Sequence, residues 1–324
     1  MSHTDTTPPL ALHCVHPDRQ ATALPGATSA VLFVHGASFP TRLAAGFEFS
    51  PRDSWLHHAA TDGRIACGLD FSGFGDSAYP EAMQHAPDNV SPSVRSADAV
   101  AQISAAVARL RKEYGASRIH LVAHSWGTIP AAHFAAEHPQ VLSSLTLFGP
   151  VVPTDKEPQN ESPYAWYPLR ATDRYEQLKY RGVLPAGLEL LEPAVHERWT
   201  TEFAASAQAL QDKPEDTLRI PAGPVFDIGA MKAGRFPYDP GAIRVPVFVV
   251  FGDYDTLVDH HGARRFLDRF SASPLKWRLR LDHGTHVMHL ERNRHSLYRA
   301  VNAFIATVED THLEASERER ECDR

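Results

Sequence analysis

Short apolar runs alternate with amphipathic runs through the first half of the chain. The apolar runs are rich in β-branched and aromatic residues and therefore predict buried strands. These strands are expected at 30–34, 64–69, 119–122 and 145–148, with an edge strand at 10–15. Between them, helices are expected at 54–60, 96–114 and 128–137. In the helix at 96–114, apolar residues three or four positions apart form one buried face. Strands that alternate with helices imply a mostly parallel sheet with helices on both faces.

The regular alternation stops after 152. Between 153 and 243 the chain is rich in proline and aromatic residues, with helices expected at 171–181 and 193–211 and no convincing strand. Because disordered segments are poor in aromatic residues, this composition favours a folded segment. A segment inserted between two strands of a parallel sheet is expected to fold over their carboxyl ends, where ligands bind. We therefore predict a helical cap over residues 153–243.

Strand and helix patterns resume after the cap. Strands are expected at 245–251 and 275–281, and helices at 262–270 and 296–308. The predicted fold class is α/β, with a mostly parallel sheet, helices on both faces and the cap inserted before the strand that carries the candidate acid. In this division, 1–152 and 244–312 form the α/β core, 153–243 the cap, and 313–324 a charged, frayed tail.

A serine occupies a sharp turn in this pattern. The apolar run Ile119–Val122 is followed by Ala123-His124-Ser125-Trp126-Gly127, and a helical run begins at Thr128. A strand, turn and helix in this order lift a hydroxyl clear of the backbone and aim the helix N–H groups at the same point. The strained turn requires small residues around the serine, and the pattern G-x-S-x-G is met here with alanine in the first place. A plain Ser-Trp-Gly connection is the alternative for this stretch alone.

Two further strand ends carry groups able to activate this serine. The strand at 245–251 is followed by Gly252-Asp253-Tyr254-Asp255, and the segment after 275–281 contains His283, His286 and His289. A serine hydroxyl is a poor nucleophile at neutral pH unless a base accepts its proton and an acid orients that base. Because all these groups follow strands, we expect them at one edge of one sheet, in the chain order Ser, Asp, His.

Taken together, these segments make the chain resemble the α/β-hydrolase fold superfamily in its capped form. The resemblance is carried by His35-Gly36, Asp70-x-x-Gly73-x-Gly75-x-Ser77, the serine turn, Gly252-x-x-Asp255 and His286-x-x-His289-Leu290-Glu291. It covers about 28–152 and 244–308, and it implies Ser125 as nucleophile, His286 as base and Asp255 as acid. It also implies an oxyanion hole formed by the N–H groups of Ala37 and Trp126. Serine rather than aspartate at the turn argues against the haloalkane dehalogenase and epoxide hydrolase branches.

Neighbouring residues are alternatives for these roles. Asp253 competes with Asp255 as the acid, although the spacing in the family favours Asp255. His283 and His289 compete with His286 as the base. As metal ligands the three histidines have helical spacing, but the glycine after His283 argues against a regular helix, and no cysteine supports a site. We therefore expect no metal.

Composition narrows the possible partners. The net charge of −7 over 324 residues is spread without large blocks, so nothing favours nucleic acid or a membrane surface. The glycine-rich loop at 70–77 lacks the G-x-G-x-x-G pattern of a dinucleotide site, and no cofactor is expected. The three cysteines, Cys14, Cys67 and Cys322, fit a reducing compartment and argue against a disulfide framework. Without a secretion signal or a membrane-spanning run, the sequence predicts a cytoplasmic protein.

Aromatic residues on these loops indicate the kind of substrate. We expect a pocket lined by Phe39, His124, Tyr164, Trp166 and Tyr254. No cluster of arginine or lysine lies on the loops, so no clamp for a strongly anionic group is expected. We predict a serine esterase that cleaves a small to medium, apolar or aromatic carboxylic ester through an acyl-enzyme. Hydrolysis of a thioester, amide, lactone or C–C bond on the same triad, or a ligand receptor on a hydrolase scaffold, are the alternatives.

Overall fold

A computed structural model describes residues 9–17, 28–61, 63–87, 91–154, 164–206 and 216–322. Its strands are β1 Leu12–Val15, β2 Thr28–Val34, β3 Ile65–Leu69, β4 Ala116–His124, β5 Ser144–Phe148, β6 Trp166–Arg170, β7 Thr217–Pro221, β8 Val247–Gly252 and β9 Lys276–Leu281. Its α-helices are α1 Trp55–Ala60, α2 Ser96–Tyr114, α3 Thr128–Glu137, α4 Ala171–Leu178, α5 Pro193–Ala205, α6 Gly223–Lys232, α7 His260–Asp268 and α8 Arg294–Cys322.

Seven strands form one sheet in the order β1-β3-β2-β4-β5-β8-β9. Only β1 is antiparallel to its neighbour, β3, and the other pairs are parallel. The parallel strands place their carboxyl ends at one edge, so the loops that follow β2, β4, β5, β8 and β9 gather there. This sheet confirms the predicted α/β fold class.

Side chains of β2 show how the sheet is covered on both faces. Ala30, Leu32 and Val34 face a core that also takes the buried side of α2 and α3. Val31 and Phe33 face the opposite core, which contains apolar residues of α1 and α8. Because successive side chains of a strand point to opposite faces, a strand buried on both faces is continuously apolar, as the sequence showed.

The cap segment, 153–243, is not only helical. Alongside α4, α5 and α6 it contains a second, two-stranded antiparallel sheet formed by β6 and β7. The prediction of no strand here is wrong. The sequence did not reveal β6 because this strand mixes exposed and buried positions and contains Pro168, a residue that is restricted to edge strands and bulges. The predicted helix at 193–211 ends at Ala205 in the structure, and 207–211 lie outside the described residues.

Cys14 and Cys67 form a disulfide, although the cysteine content fitted a reducing compartment and argued against a disulfide framework. The two residues are register partners on β1 and β3, with Cα atoms 4.1 Å apart. This pairing could not be predicted from the sequence because the residues are 53 positions apart and only the antiparallel edge of the sheet brings them together.

The last helix is longer than the sequence predicted. It runs from Arg294 to Cys322, whereas the apolar pattern ends near Val308. Of the predicted tail, 323–324 lie outside the described residues. Within the described part of the chain, every helix is too short or too polar to cross a membrane.

Candidate active site

Ser125 lies at the junction between β4 and α3. It has a left-handed backbone, with φ of 56°, and a single 3-10 turn over Ser125–Gly127 connects it to the helix that begins at Thr128. The Thr128 hydroxyl donates a hydrogen bond of 2.6 Å to the Ser125 carbonyl and closes the turn. A non-glycine residue in this conformation costs of order 1 kcal/mol or more, and such strain concentrates at functional sites.

The loop after β2 approaches this turn closely. A Cβ on Gly36 would lie 3.0 Å from the Ser125 Cβ, and a Cβ on Gly127 would lie 2.4 Å from the His35 carbonyl oxygen. Both glycines are therefore needed for the contact between the two loops. Ala123, the departure from the usual motif, is fully buried within β4 between β2 and β5.

His286 lies between Ser125 and Asp255. Its Nε2 is 2.7 Å from the Ser125 Oγ, and its Nδ1 is 2.9 Å from the Asp255 Oδ2. The other carboxylate oxygen of Asp255 accepts a 2.8 Å hydrogen bond from the Leu257 backbone N–H, and the Asp255 side chain is fully buried. With its proton on Nδ1, the imidazole donates to Asp255 and accepts from the serine hydroxyl, which is the arrangement that general-base activation requires.

The competing residues occupy different positions. The Asp253 carboxylate accepts a 3.0 Å hydrogen bond from the Gly284 backbone N–H, whereas the carboxylate that is hydrogen-bonded to His286 is that of Asp255. His283 is exposed, while His289 is buried. Among the described residues, no cluster of potential metal ligands contains His283, His286 or His289.

Two buried histidines pack behind His286. His124 donates a 2.8 Å hydrogen bond from Nε2 to the His286 carbonyl, and its ring lies 4.9 Å from the His286 ring and 4.6 Å from that of His289. Burial and the neighbouring imidazoles hold the pKa of His124 well below its usual value and lower that of His289 to about 3. Both rings are therefore neutral near pH 7 and act as aromatic support for His286.

Glu291 fixes the segment that carries His286. Its carboxylate accepts a 2.9 Å hydrogen bond from the Thr285 backbone N–H and a second hydrogen bond from the Thr285 hydroxyl. Burial, reinforced by the charges of Asp253 and Asp255, raises the pKa of Glu291 to about 7. Thr285 is thus held directly before the histidine by a side chain whose charge depends on pH.

His35 and Asp70 brace the loop after β2. The His35 Nδ1 donates a 2.7 Å hydrogen bond to the Gly36 carbonyl, and its Nε2 accepts a 3.1 Å hydrogen bond from the Phe71 N–H. Asp70 accepts a 2.8 Å hydrogen bond from the Thr41 backbone N–H. Such bracing would keep Ala37, the residue after Gly36, in place, while the oxyanion roles of Ala37 and Trp126 stay predictions.

The five residues predicted to line the pocket do not all lie near Ser125. His124 contacts His286, and Phe39 packs 5.2 Å from Trp199 of α5. Tyr254 is partly buried beside Asp255. Trp166 instead donates to the His85 carbonyl at 2.9 Å, and Tyr164 is exposed.

The cap segment brings further residues to the site that the sequence did not single out. Asp227 of α6 accepts a 3.1 Å hydrogen bond from the Trp126 indole. Arg174 of α4 donates a 2.8 Å hydrogen bond to the Ser38 hydroxyl. The charges of Asp255 and Glu291 act on the Tyr180 phenol, whose pKa is raised mainly by burial. No local spacing marks these residues, because their partners lie far away in sequence.

The sequence matches a family model described as alpha/beta hydrolase fold over residues 30–293. No curated protein matches it significantly. Among solved structures it is similar to the thioesterase domain from the curacin biosynthetic pathway, with a TM-score of 0.58 at 17% identity over 92% of this chain and 95% of that one. It is also similar to the enol-lactonase from Burkholderia xenovorans LB400, with a TM-score of 0.57 and 15% identity. That match covers 92% of this chain and 96% of the enol-lactonase. A third similar structure is Est1E from Butyrivibrio proteoclasticus with bound ferulic acid, with a TM-score of 0.55 and 14% identity. That match covers 93% of this chain and 96% of Est1E.

Proposed function

The chain belongs to the alpha/beta hydrolase fold family, and on that premise we propose that it is a serine hydrolase that cleaves carboxylic esters through an acyl-enzyme. The observation that carries the proposal is the continuous chain of hydrogen bonds from Ser125 through His286 to Asp255, at 2.7 and 2.9 Å. An imidazole held in this way can take the serine proton, and a buried carboxylate stabilises the imidazolium that forms.

The reaction proceeds in two halves. The Ser125 oxygen attacks the ester carbonyl while its proton passes to the Nε2 of His286. The N–H groups of Ala37 and Trp126 are proposed to stabilise the oxyanion of the tetrahedral intermediate. Collapse of this intermediate expels the alcohol, which takes the proton from His286. A water molecule, activated by His286 in the same way, then releases the acid and restores the serine.

Several features support an acyl compound of small to medium size as substrate. The cap segment packs its helix α5 on Phe39, directly after the loop that approaches Ser125, and would enclose the bound acyl group. Phe39 and the neutral His124 are nearly fully buried and place no charge there. The thioesterase domain and the enol-lactonase among the similar structures support attack on an acyl carbonyl as the reaction class.

The test is a series of p-nitrophenyl esters from acetyl to palmitoyl, with benzoyl and phenylacetyl included. We expect kcat/KM to be greatest for short to medium or aryl groups and Ser125→Ala to lose turnover of all of them. An optimum at palmitoyl would contradict the size limit. Stoichiometric binding without turnover would contradict the enzyme assignment and favour a receptor.

A further inference from the structure

We propose that Arg174 forms, with Ser38 and Tyr167, a subsite for a carboxylate that the substrate carries in addition to its ester. The role of this subsite in catalysis rests on the proposed function. The binding of a carboxylate there can be tested without turnover. The sequence predicted no such clamp because only the loops after the core strands were considered, whereas Arg174 lies on α4 of the cap segment.

The guanidinium of Arg174 lies at the loop that approaches the serine. Its Nη2 donates a 2.8 Å hydrogen bond to the Ser38 hydroxyl. Ser38 is two residues after Gly36, where a Cβ would lie 3.0 Å from the Cβ of Ser125. A group held by Arg174 would therefore sit beside the proposed oxyanion residue Ala37, within the reach of a small substrate.

In the described part of the chain, Arg174 has no carboxylate as counter-charge, whereas the buried Arg64 has one. Among the residues that the structure describes, the charged or hydroxyl groups acting on it belong to Ser38, Tyr167 and Tyr180, and none is a carboxylate. Its Nε is buried with no hydrogen-bond partner among these residues. In contrast, the Arg64 guanidinium lies 2.7 Å from the Glu309 carboxylate, and that of Arg294 lies 3.0 Å from the Glu192 carboxylate.

The phenols near Arg174 do not supply the missing charge. Burial raises the pKa of both Tyr167 and Tyr180, so both hydroxyls are neutral at pH 7. Burial also lowers the pKa of Arg174 itself, which shows that its charged form is poorly solvated. A partly desolvated cation with only neutral partners is unfavourable, and an anion from the ligand would relieve this cost.

A carboxylate fits this site better than a dianionic group. A guanidinium presents two parallel N–H donors that match the two oxygens of a carboxylate. A single positive charge balances a single negative charge. The inferred substrate class is thus a small to medium ester that bears one carboxylate, such as a half-ester of a dicarboxylic acid.

The matched substrates for testing this are the mono-p-nitrophenyl ester of adipic acid and p-nitrophenyl hexanoate, which differ in one terminal carboxylate. We expect the ratio of their kcat/KM values, adipate over hexanoate, to fall about 10- to 100-fold in Arg174→Met, as expected for loss of a charge-assisted hydrogen bond. Arg174→Lys should recover part of the ratio because it keeps the charge. Arg181→Met, which removes an exposed arginine of the same segment, is the control and should keep the wild-type ratio.

Equal losses for both esters in Arg174→Met, with no recovery in Arg174→Lys, would show that Arg174 only holds the cap and would overturn the proposal. A binding measurement separates this result from failure of the proposed function. In the Ser125→Ala background, calorimetry with monomethyl adipate should show at least tenfold weaker binding after Arg174→Met and no change after Arg181→Met. Arg174-dependent binding without any ester turnover would support the subsite and contradict the esterase assignment. Ester turnover and binding that do not depend on Arg174 would support the esterase assignment and contradict the subsite.

Discussion

The Asp227 carboxylate accepts a hydrogen bond of 3.1 Å from the indole nitrogen of Trp126, the residue directly after Ser125. The same carboxylate accepts 2.7 Å hydrogen bonds from the Ser96 backbone N–H and from the Arg95 guanidinium. Burial raises the pKa of Asp227, and these donors oppose that effect. Since three donors of the core converge on one side chain of the cap segment, the position of α6 is coupled to the serine turn.

Replacement of Asp227 should therefore affect both stability and turnover. Asp227→Ala leaves buried donors of Ser96 and Trp126 without a partner, and we expect it to lower the free energy of unfolding by about 3 kcal/mol. It should also lower kcat, because Trp126 loses a contact that fixes the turn. Urea denaturation and ester assays measure the two effects, with the exposed Asp268→Ala as control. An unchanged kcat in folded Asp227→Ala would show that the hydrogen bond serves stability alone.

Asp255 and Asp253 can be distinguished by matched substitutions. Asp255→Asn should slow turnover by about 10⁴, since an amide favours the wrong imidazole tautomer. Asp253→Asn should reduce kcat far less. The Asp253 side chain accepts a hydrogen bond from the Gly284 backbone N–H, and an amide oxygen can continue to accept it. The measurement is kcat at pH 8 for both variants. A larger loss for Asp253→Asn would assign the acid role to Asp253.

Glu291 predicts a specific dependence of stability on pH. Its pKa in the folded protein, about 7, is higher than the usual value of 4.5, so the folded state holds more protons between these pH values. The contribution of Glu291 is therefore greatest below about pH 4.5 and is lost as the pH rises through about 7. The loss amounts to about 3 kcal/mol.

Glu291→Gln, which resembles the protonated side chain, should remove this loss. Urea denaturation at pH 5 and pH 8 should show wild type losing more stability than Glu291→Gln over that interval. Parallel losses in the two proteins would mean that Glu291 is already ionised at pH 5 in the folded state.

The Cys14–Cys67 disulfide links β1 to β3 covalently, and this link can be tested on the purified protein. Under non-reducing conditions, digestion and mass spectrometry should recover one pair of linked peptides that contains both residues. Reduction should lower the free energy of unfolding by about 2–4 kcal/mol, mainly through the added freedom of the unfolded chain. Two free thiols at these positions in oxidised protein would instead support the interpretation drawn from the sequence.

The core of the fold could be predicted because its signals are local. Each strand of the large sheet overlaps a predicted strand, and α2 has the predicted bounds, Ser96–Tyr114, with Gly115 in the left-handed conformation after its end. The strands β6 and β7 were missed because each is only five residues long and contains a proline, so neither forms a continuous apolar run.

The candidate site was only partly accessible from the sequence. Strand ends and chain order singled out Ser125, Asp255 and His286, and the structure brings them within hydrogen-bond distance, while their catalytic roles stay predictions. Arg174 and Asp227 could not be found in this way. Their partners Ser38 and Ser96 are 136 and 131 positions away, and no pattern along the chain shows which face of the cap meets the core.

The covalent labelling of Ser125 tests the central claim most directly. A fluorophosphonate reacts with a serine only when a neighbouring base activates it, so we expect a single adduct on the wild-type protein. Peptide mapping should place it on the segment that contains Ser125, and Ser125→Ala and His286→Ala should abolish or strongly slow its formation. An adduct on another residue, or none in protein shown to be folded, would contradict the assignment of Ser125 as the nucleophile.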